Sequence, residues 1–212
     1  MTEIIPAILE TDFAKVQKRL AELEGVTDWT QLDITDGEFA PNFTWSDPQA
    51  LADLEGRLKV EVHLMVRRPE LDLTDWLEVV DRVVFHIESV TAPTKILDQA
   101  ARAGVPTGLA LLAETPLERV GPFIEQIESV QLMGIAEIGK QGLPFDEGVI
   151  DRVRQLRQAY PDLKIAVDGG VDLNNAKALI EAGVDRLIVG SAWWQFANAK
   201  QAHDAWQELS LS

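Results

Sequence analysis

Gln31-Leu32-Asp33-Ile34-Thr35-Asp36-Gly37 sets polar side chains at alternate positions of a short apolar run and then breaks into a glycine-containing turn. Glu61-Val62-His63-Leu64-Met65 follows the same pattern, as does Lys164-Ile165-Ala166-Val167-Asp168-Gly169-Gly170. Residues two apart in a strand share a face. Gln31 and Asp33 therefore point one way and Leu32 and Ile34 the other; Glu61, His63 and Met65 likewise oppose Val62 and Leu64. Polar side chains at the ends of several strands are costly to bury unless they converge on a common task. The chain is read here as organised around that convergence.

Strand-like and helix-like runs alternate outward from these stretches. Strand-like runs cover 3–9, 29–34, 58–65, 82–87, 105–112, 128–133, 163–168 and 185–189. Helix-like runs follow each: from an Asp12 cap to 23, from Asp47-Pro48, over 70–78, over 92–103, from Thr115, over 146–160, over 172–182 and over 193–209. Proline at a first helical position marks one start, and Gly104 and Gly183 mark stops. Thr115-Pro116-Leu117-Glu118 has the spacing of a capping box. Alternating β/α pairs with short connections imply a parallel sheet. Eight of them predict a closed (β/α)8 TIM barrel, one compact domain over residues 1–212. An open doubly wound sheet would place a glycine-rich turn after the first strand, and Leu9-Glu10-Thr11-Asp12 contains no glycine.

The totals narrow the function classes. A net charge of −16 disfavours nucleic acid as partner, although backbone N–H groups can still bind a small phosphate without altering that charge. There is no cysteine, which excludes disulfides and thiolate chemistry. The start, Met-Thr-Glu-Ile-Ile-Pro, lacks the basic and apolar regions of a signal peptide. No apolar run approaches the roughly 20 residues that span a bilayer. A soluble cytoplasmic protein without membrane contact is expected.

In a barrel the C-terminal ends of the strands form the active face. Asp33 and Asp168 stand there on the second and seventh strands, across the mouth from each other. Two such carboxylates suit proton removal from one side of a substrate and delivery to the other. His63 is placed to join them around a divalent metal. Each also has a plain reading as a satisfied strand-end polar residue, but together, on separate strands with matched facing, the functional reading is stronger. Gly169, Gly170, Gly190 and Ser191 lie in the turns after strands seven and eight, the usual phosphate site of such barrels. Gly139, Lys140 and Gly142, after strand six, would close a third side, with Lys140 as a cation. His86, beside Glu88, reads as a structural or supporting group. Met65 and Met133 read as apolar filler at the barrel mouth. His203 belongs on the surface, and Trp193, Trp194 and Trp206 on the last helix read as packing or as an oligomer contact.

These residues resemble the ribulose-phosphate 3-epimerase family nearly end to end. The matching motifs are Pro6-Ala7-Ile8-Leu9 with Asp12-Phe13, Leu32-Asp33-Ile34-Thr35-Asp36-Gly37, Pro41-Asn42-Phe43-Thr44, Val62-His63-Leu64-Met65, Phe85-His86-Ile87-Glu88, Thr115-Pro116-Leu117-Glu118, Val167-Asp168-Gly169-Gly170-Val171 and Gly190-Ser191-Ala192. The resemblance implies an isomerase of the pentose phosphate pathway that interconverts ribulose 5-phosphate and xylulose 5-phosphate through an enediolate. Asp33 and Asp168 would be its acid–base pair. A divalent metal is implied as well, zinc first and otherwise iron, manganese or cobalt, held by Asp33, His63 and Asp168. The substrate would be a small phosphorylated sugar and the assembly a homo-oligomer.

The chain departs from the family pattern at four places around the same pocket. Gln31 stands where the pattern has the first histidine of a His-x-Asp pair, and would be a weak fourth ligand. Ala7 replaces a serine, Leu112-Ala113 replace Asn-Pro, and the loop after strand six lacks the usual Asn-Pro-Gly-Phe-Gly-Gly-Gln run. A second reading follows: a phosphosugar-binding barrel that has lost or changed the reaction, acting as a regulatory binder or as a lyase or decarboxylase.

Overall fold

The computed structural model describes residues 2–53, 56 and 58–210; Met1, at the head of the N-terminal stretch read above, lies outside the described residues. Eight strands close a parallel barrel: β1 (Glu3–Ile8), β2 (Trp29–Thr35), β3 (Lys59–Met65), β4 (Arg82–His86), β5 (Thr107–Leu111), β6 (Ser129–Met133), β7 (Lys164–Asp168) and β8 (Arg186–Val189). Each pairs with its successor, and β8 returns to β1 from Glu3↔Arg186 to Pro6↔Val189. The outer layer contains α1 (Phe13–Leu23), α2 (Pro48–Ala52), α3 (Leu73–Leu77), α4 (Pro93–Ala103), α5 (Gly148–Ala159), α6 (Ala176–Ala182), α7 (Ser191–Trp194) and α8 (Ala199–Ser210). Among the described residues no helix is long and apolar enough to cross a membrane.

The alternation read from the sequence sorts side chains into two cores. Leu32, Ile34, Val62, Leu64, Val83, Phe85, Val130, Leu132, Ile165 and Val167 face outward and pack in one apolar cluster with helix residues such as Val16, Val153 and Trp206. The intervening positions face the barrel axis, and many are polar: Gln31, Glu61, His63, Arg82, His86, Gln131 and Asp168 are all buried. Near the N-terminal ends of the strands they form an ion-paired ladder. Arg82 pairs with Glu61 and reaches Glu128, and Arg186 pairs with Glu128 and Glu3. The Arg82 guanidinium lies 4.0 Å from the centre of the Trp29 ring, a cation–π contact.

Four helical expectations are corrected. The segment from Thr115 is not an α-helix: Leu117–Phe123 forms a 3₁₀ turn without a side-chain cap. Thr115 gives its hydroxyl to Glu88 instead, and Gly121-Pro122 breaks the i→i−4 ladder. The run at 70–78 divides into a 3₁₀ turn, Pro69–Leu71, and α3. The run at 172–182 is helical only from Ala176, since Asp172 ties the N–H groups of Asn174 and Asn175 into a turn. The last run divides into α7 and α8, because the Asn198 side chain accepts from Gln201 N–H at 2.9 Å and starts a new helix. Trp193 and Trp206 are buried and Trp194 donates to the Ala7 carbonyl at 2.8 Å, so these tryptophans pack the barrel.

Candidate active site

The mouth of the barrel brings Asp33, His63 and Asp168 together. In-register pairing sets Asp33 beside His63 and Met133 beside Asp168. The end of β2 is pinned by Thr44, whose hydroxyl accepts from Thr35 N–H at 2.9 Å and donates to the Asp33 carbonyl at 3.0 Å. The end of β7 is pinned by Gly134 N–H, 2.7 Å from the Asp168 carbonyl. His63 Nδ1 then stands 3.2 Å from Asp33 Oδ1 and 3.2 Å from Asp168 Oδ2.

Gln31 lies in the middle of this group. Its Nε2 donates to Asp33 Oδ1 and to Asp168 Oδ2, each at 2.8 Å. One amide thus bridges the two carboxylates expected to work as a pair. Gln131, on β6, does nearly the same, donating to Asp168 Oδ2 at 2.9 Å. Gln131 is missing from the sequence reading because β6 was represented there by Met133 alone, whereas β2 and β3 were each read at two positions of the axial face. Its signal was present: Ser129, Gln131 and Met133 share the axial face of a strand whose Val130 and Leu132 face outward.

The electrostatics follow from burial against close partners. Burial pushes the Asp33 carboxyl up to about 6; hydrogen bonding to His63 opposes the rise and the charge of Asp168 adds to it. For His63, burial acts downward, but hydrogen bonds and charges from Asp168 and Asp33 outweigh it and raise the ring to about 9. Burial drives His86 down to about 4. Its Nε2 sits 3.0 Å from His63 Nε2, and its Nδ1 is 3.3 Å from Glu88 Oε2. Glu88 in turn accepts from Leu112 N–H at 3.0 Å and from Thr115. His86 therefore supports the site from behind His63, and Thr115 belongs to the same chain of contacts.

A cleft opens above the carboxylates. Its walls include Ala7, Leu9, Met65, Met133 and Ile135, and its rim Gly139, Lys140, Gly142, Gly169, Gly170, Gly190 and Ser191. Every rim residue named from the sequence therefore reaches one cleft. Gly170 has φ +68°, and a Cβ there would stand 2.9 Å from Phe145 Cα. Lys140 is on the rim, but its ammonium is 2.7 Å from Glu137 and pairs with it. Met65 and Met133 pack with Ala40, Ile135 and Ile138 as an apolar collar around the mouth.

A divalent cation fits this group on the chemistry of its donors. Asp33, His63 and Asp168 offer ligand atoms that all lie within 4.8 Å of one another. Beside them Gln31 Oε1 and Gln131 Oε1 are buried oxygens without a partner among the described residues.

The chain is similar to known proteins over nearly its whole length. A model of the ribulose-phosphate 3 epimerase family matches residues 3–194. The ribulose-phosphate 3-epimerase of Schizosaccharomyces pombe is 32% identical over 196 residues, covering 90% of this chain and 86% of that protein. That of Methanocaldococcus jannaschii is 31% identical over 218 residues, covering 100% and 92%. Among solved structures, 3-hexulose-6-phosphate synthase from Salmonella typhimurium superposes with a TM-score of 0.76 at 15% identity over 99% of both chains. A variant tryptophan synthase α-subunit from Pyrococcus furiosus gives 0.72 at 16% identity, covering 99% of this chain and 98% of that one. These two share the fold.

Proposed function

The chain belongs to the ribulose-phosphate 3-epimerase family, and we propose that it interconverts D-ribulose 5-phosphate and D-xylulose 5-phosphate by proton transfer between Asp33 and Asp168. The observation that carries this reading is the pair itself: two buried carboxylates from β2 and β7, bridged by one amide at 2.8 Å each, at the floor of a glycine-rimmed cleft. With its carboxyl raised to about 6, Asp33 gives and takes protons near neutrality. One aspartate removes the C3 proton and leaves an enediolate; the other returns a proton to the opposite face.

The remaining residues position and protect that chemistry. Backbone N–H groups of the Gly169-Gly170 and Gly190-Ser191 turns hold the substrate phosphate, as turns after the seventh and eighth strands do in such barrels. Met65, Met133 and Ile135 keep water from the enediolate. Asp33, His63 and Asp168 would hold the divalent ion, which when bound supplies polarisation of the substrate carbonyl. His63 is oriented for this by His86.

Incubation with ribulose 5-phosphate in D₂O tests the reading. Deuterium at C3 and the appearance of xylulose 5-phosphate are expected, and Asp33→Asn or Asp168→Asn should slow both by roughly 10²–10⁴. Sugar phosphate binding without exchange would leave a binding barrel in place of an epimerase.

A further inference from the structure

Five side chains end on one point at the cleft floor, and two of them are carboxamides. His63 Nδ1 is 3.2 Å from each carboxylate oxygen and 3.3 Å from the inward carboxamide atom of both Gln31 and Gln131. Around it, Gln31 lies 2.8 Å from both carboxylates and Gln131 lies 2.9 Å from Asp168. Nδ1 thus stands to these four atoms as one ligand of a six-coordinate ion stands to its four neighbours. Neighbouring ligands of a six-coordinate ion with bonds near 2.1 Å stand about 3.0 Å apart. The separations here fall on either side of that value.

With their nitrogens inward the carboxamides serve the carboxylates, yet Gln31 Oε1 and Gln131 Oε1 are left buried and unpartnered among the described residues. The two ends of a carboxamide are nearly isosteric, so a half-turn exchanges donor for acceptor without moving a carbon. After that half-turn, and once His63 gives up its Nδ1 proton as an incoming cation displaces it, five acceptors meet with no donor between them, and the cation relieves their repulsion. We propose that Gln31 and Gln131 are carboxamide ligands: with Asp33, His63 and Asp168 they surround a divalent ion with four oxygens and one nitrogen. One position stays open, and the site is shifted from zinc toward oxygen-preferring, six-coordinate ions such as Mn²⁺. Zinc sites favour four ligands rich in nitrogen and sulfur, whereas carboxylate and carbonyl oxygens suit Mn²⁺ and Mg²⁺. The proposal rests on the reading of Asp33, His63 and Asp168 as a cation site.

The test titrates chelator-stripped protein with Mn²⁺, followed by electron paramagnetic resonance, and with Zn²⁺ in competition. Wild type should bind one Mn²⁺. Gln131→Leu removes the carboxamide while keeping similar bulk. It should weaken Mn²⁺ by roughly tenfold or more, the scale seen even for groups behind the ligands, and add exchangeable water to the bound ion. Gln131→Glu, which keeps an oxygen, should restore binding. Gln31→His, which supplies a nitrogen, should move the Zn²⁺/Mn²⁺ affinity ratio toward zinc; this variant and Gln131→Glu carry the test if Gln131→Leu fails to fold. Equal Mn²⁺ affinity and hydration in wild type and folded Gln131→Leu would overturn the carboxamide assignment and leave the Asp33–His63–Asp168 site standing. Failure of wild type to bind Mn²⁺, Mg²⁺ or Zn²⁺ would overturn both, with the inward nitrogens then the permanent bridge. The D₂O experiment decides on the reaction independently.

Discussion

Glu88 is held at about 2, well below its ordinary 4.5: burial acts upward, but hydrogen bonds from His86, Thr115 and Leu112 N–H outweigh it. A carboxylate depressed in the folded state adds stability that is present above the unfolded value and lost as pH falls through the folded one. The window is therefore pH 4.5 down to about 2. After allowance for the carboxylate's contact with solvent the contribution is about 1–2 kcal/mol. Acid titration of wild type and Glu88→Gln, followed by circular dichroism, should show a larger loss for wild type across that window. Asp33, His63 and Asp168 were legible in the sequence because each is a titratable side chain on the axial face of an alternating run, within two residues of its end. Gln131 and the partnership of Glu88 with Thr115 were not. Gln131 lies two residues before Met133, an apolar residue that ends its strand, and Thr115, 27 residues beyond Glu88, spells a helix cap that a tertiary contact overrides.

At the scale of elements, the strands were easier to read than the helices, for a physical reason. A barrel strand is buried on both faces, so its alternation records two distinct environments, axial and outer. A helix start is a local hydrogen-bond choice, and Thr115, Asp172 and Asn198 each make theirs with partners that spacing alone does not reveal. Arg152 on α5 is another such device, donating to the carbonyls of Ala113 at 2.7 Å and Thr115 at 2.8 Å and so holding the loop after β5. The turn after β7 gives the sharpest test at this scale. Gly170 combines φ +68° with backbone 2.9 Å from any added Cβ. Gly170→Ala should cost about 1–3 kcal/mol in strain and should raise KM for the phosphorylated substrate more than it lowers kcat, measurable by steady-state kinetics.

Across the whole molecule, stability and chemistry sit at opposite ends of the barrel. The ladder Glu3–Arg186–Glu128–Arg82–Glu61 fills the axis near the strands' N-terminal ends. Removing one partner from a buried pair typically costs about 3–5 kcal/mol. Arg82→Met should therefore lower Tm by roughly 6–20 °C in calorimetry, with epimerisation little changed below the new transition. At the other end, the contact between His63 Nε2 and His86 Nε2 joins two like atoms, and a bond between like atoms holds a single proton. One ring must give and the other receive, so the row has a polarity. Ionised Glu88 sets it: it accepts from His86 Nδ1–H, His86 offers a bare Nε2, and His63 donates there, which leaves His63 Nδ1 to face the aspartates. A carboxamide at 88 that presents its NH₂ to His86 would reverse the direction of every link and place the proton of neutral His63 on Nδ1. Glu88→Gln should then cost neutral His63 its cation-binding lone pair without touching the ring, an inversion visible as exchanged ¹⁵N tautomer signals in both histidines above the pH of about 9 at which metal-free His63 loses its extra proton.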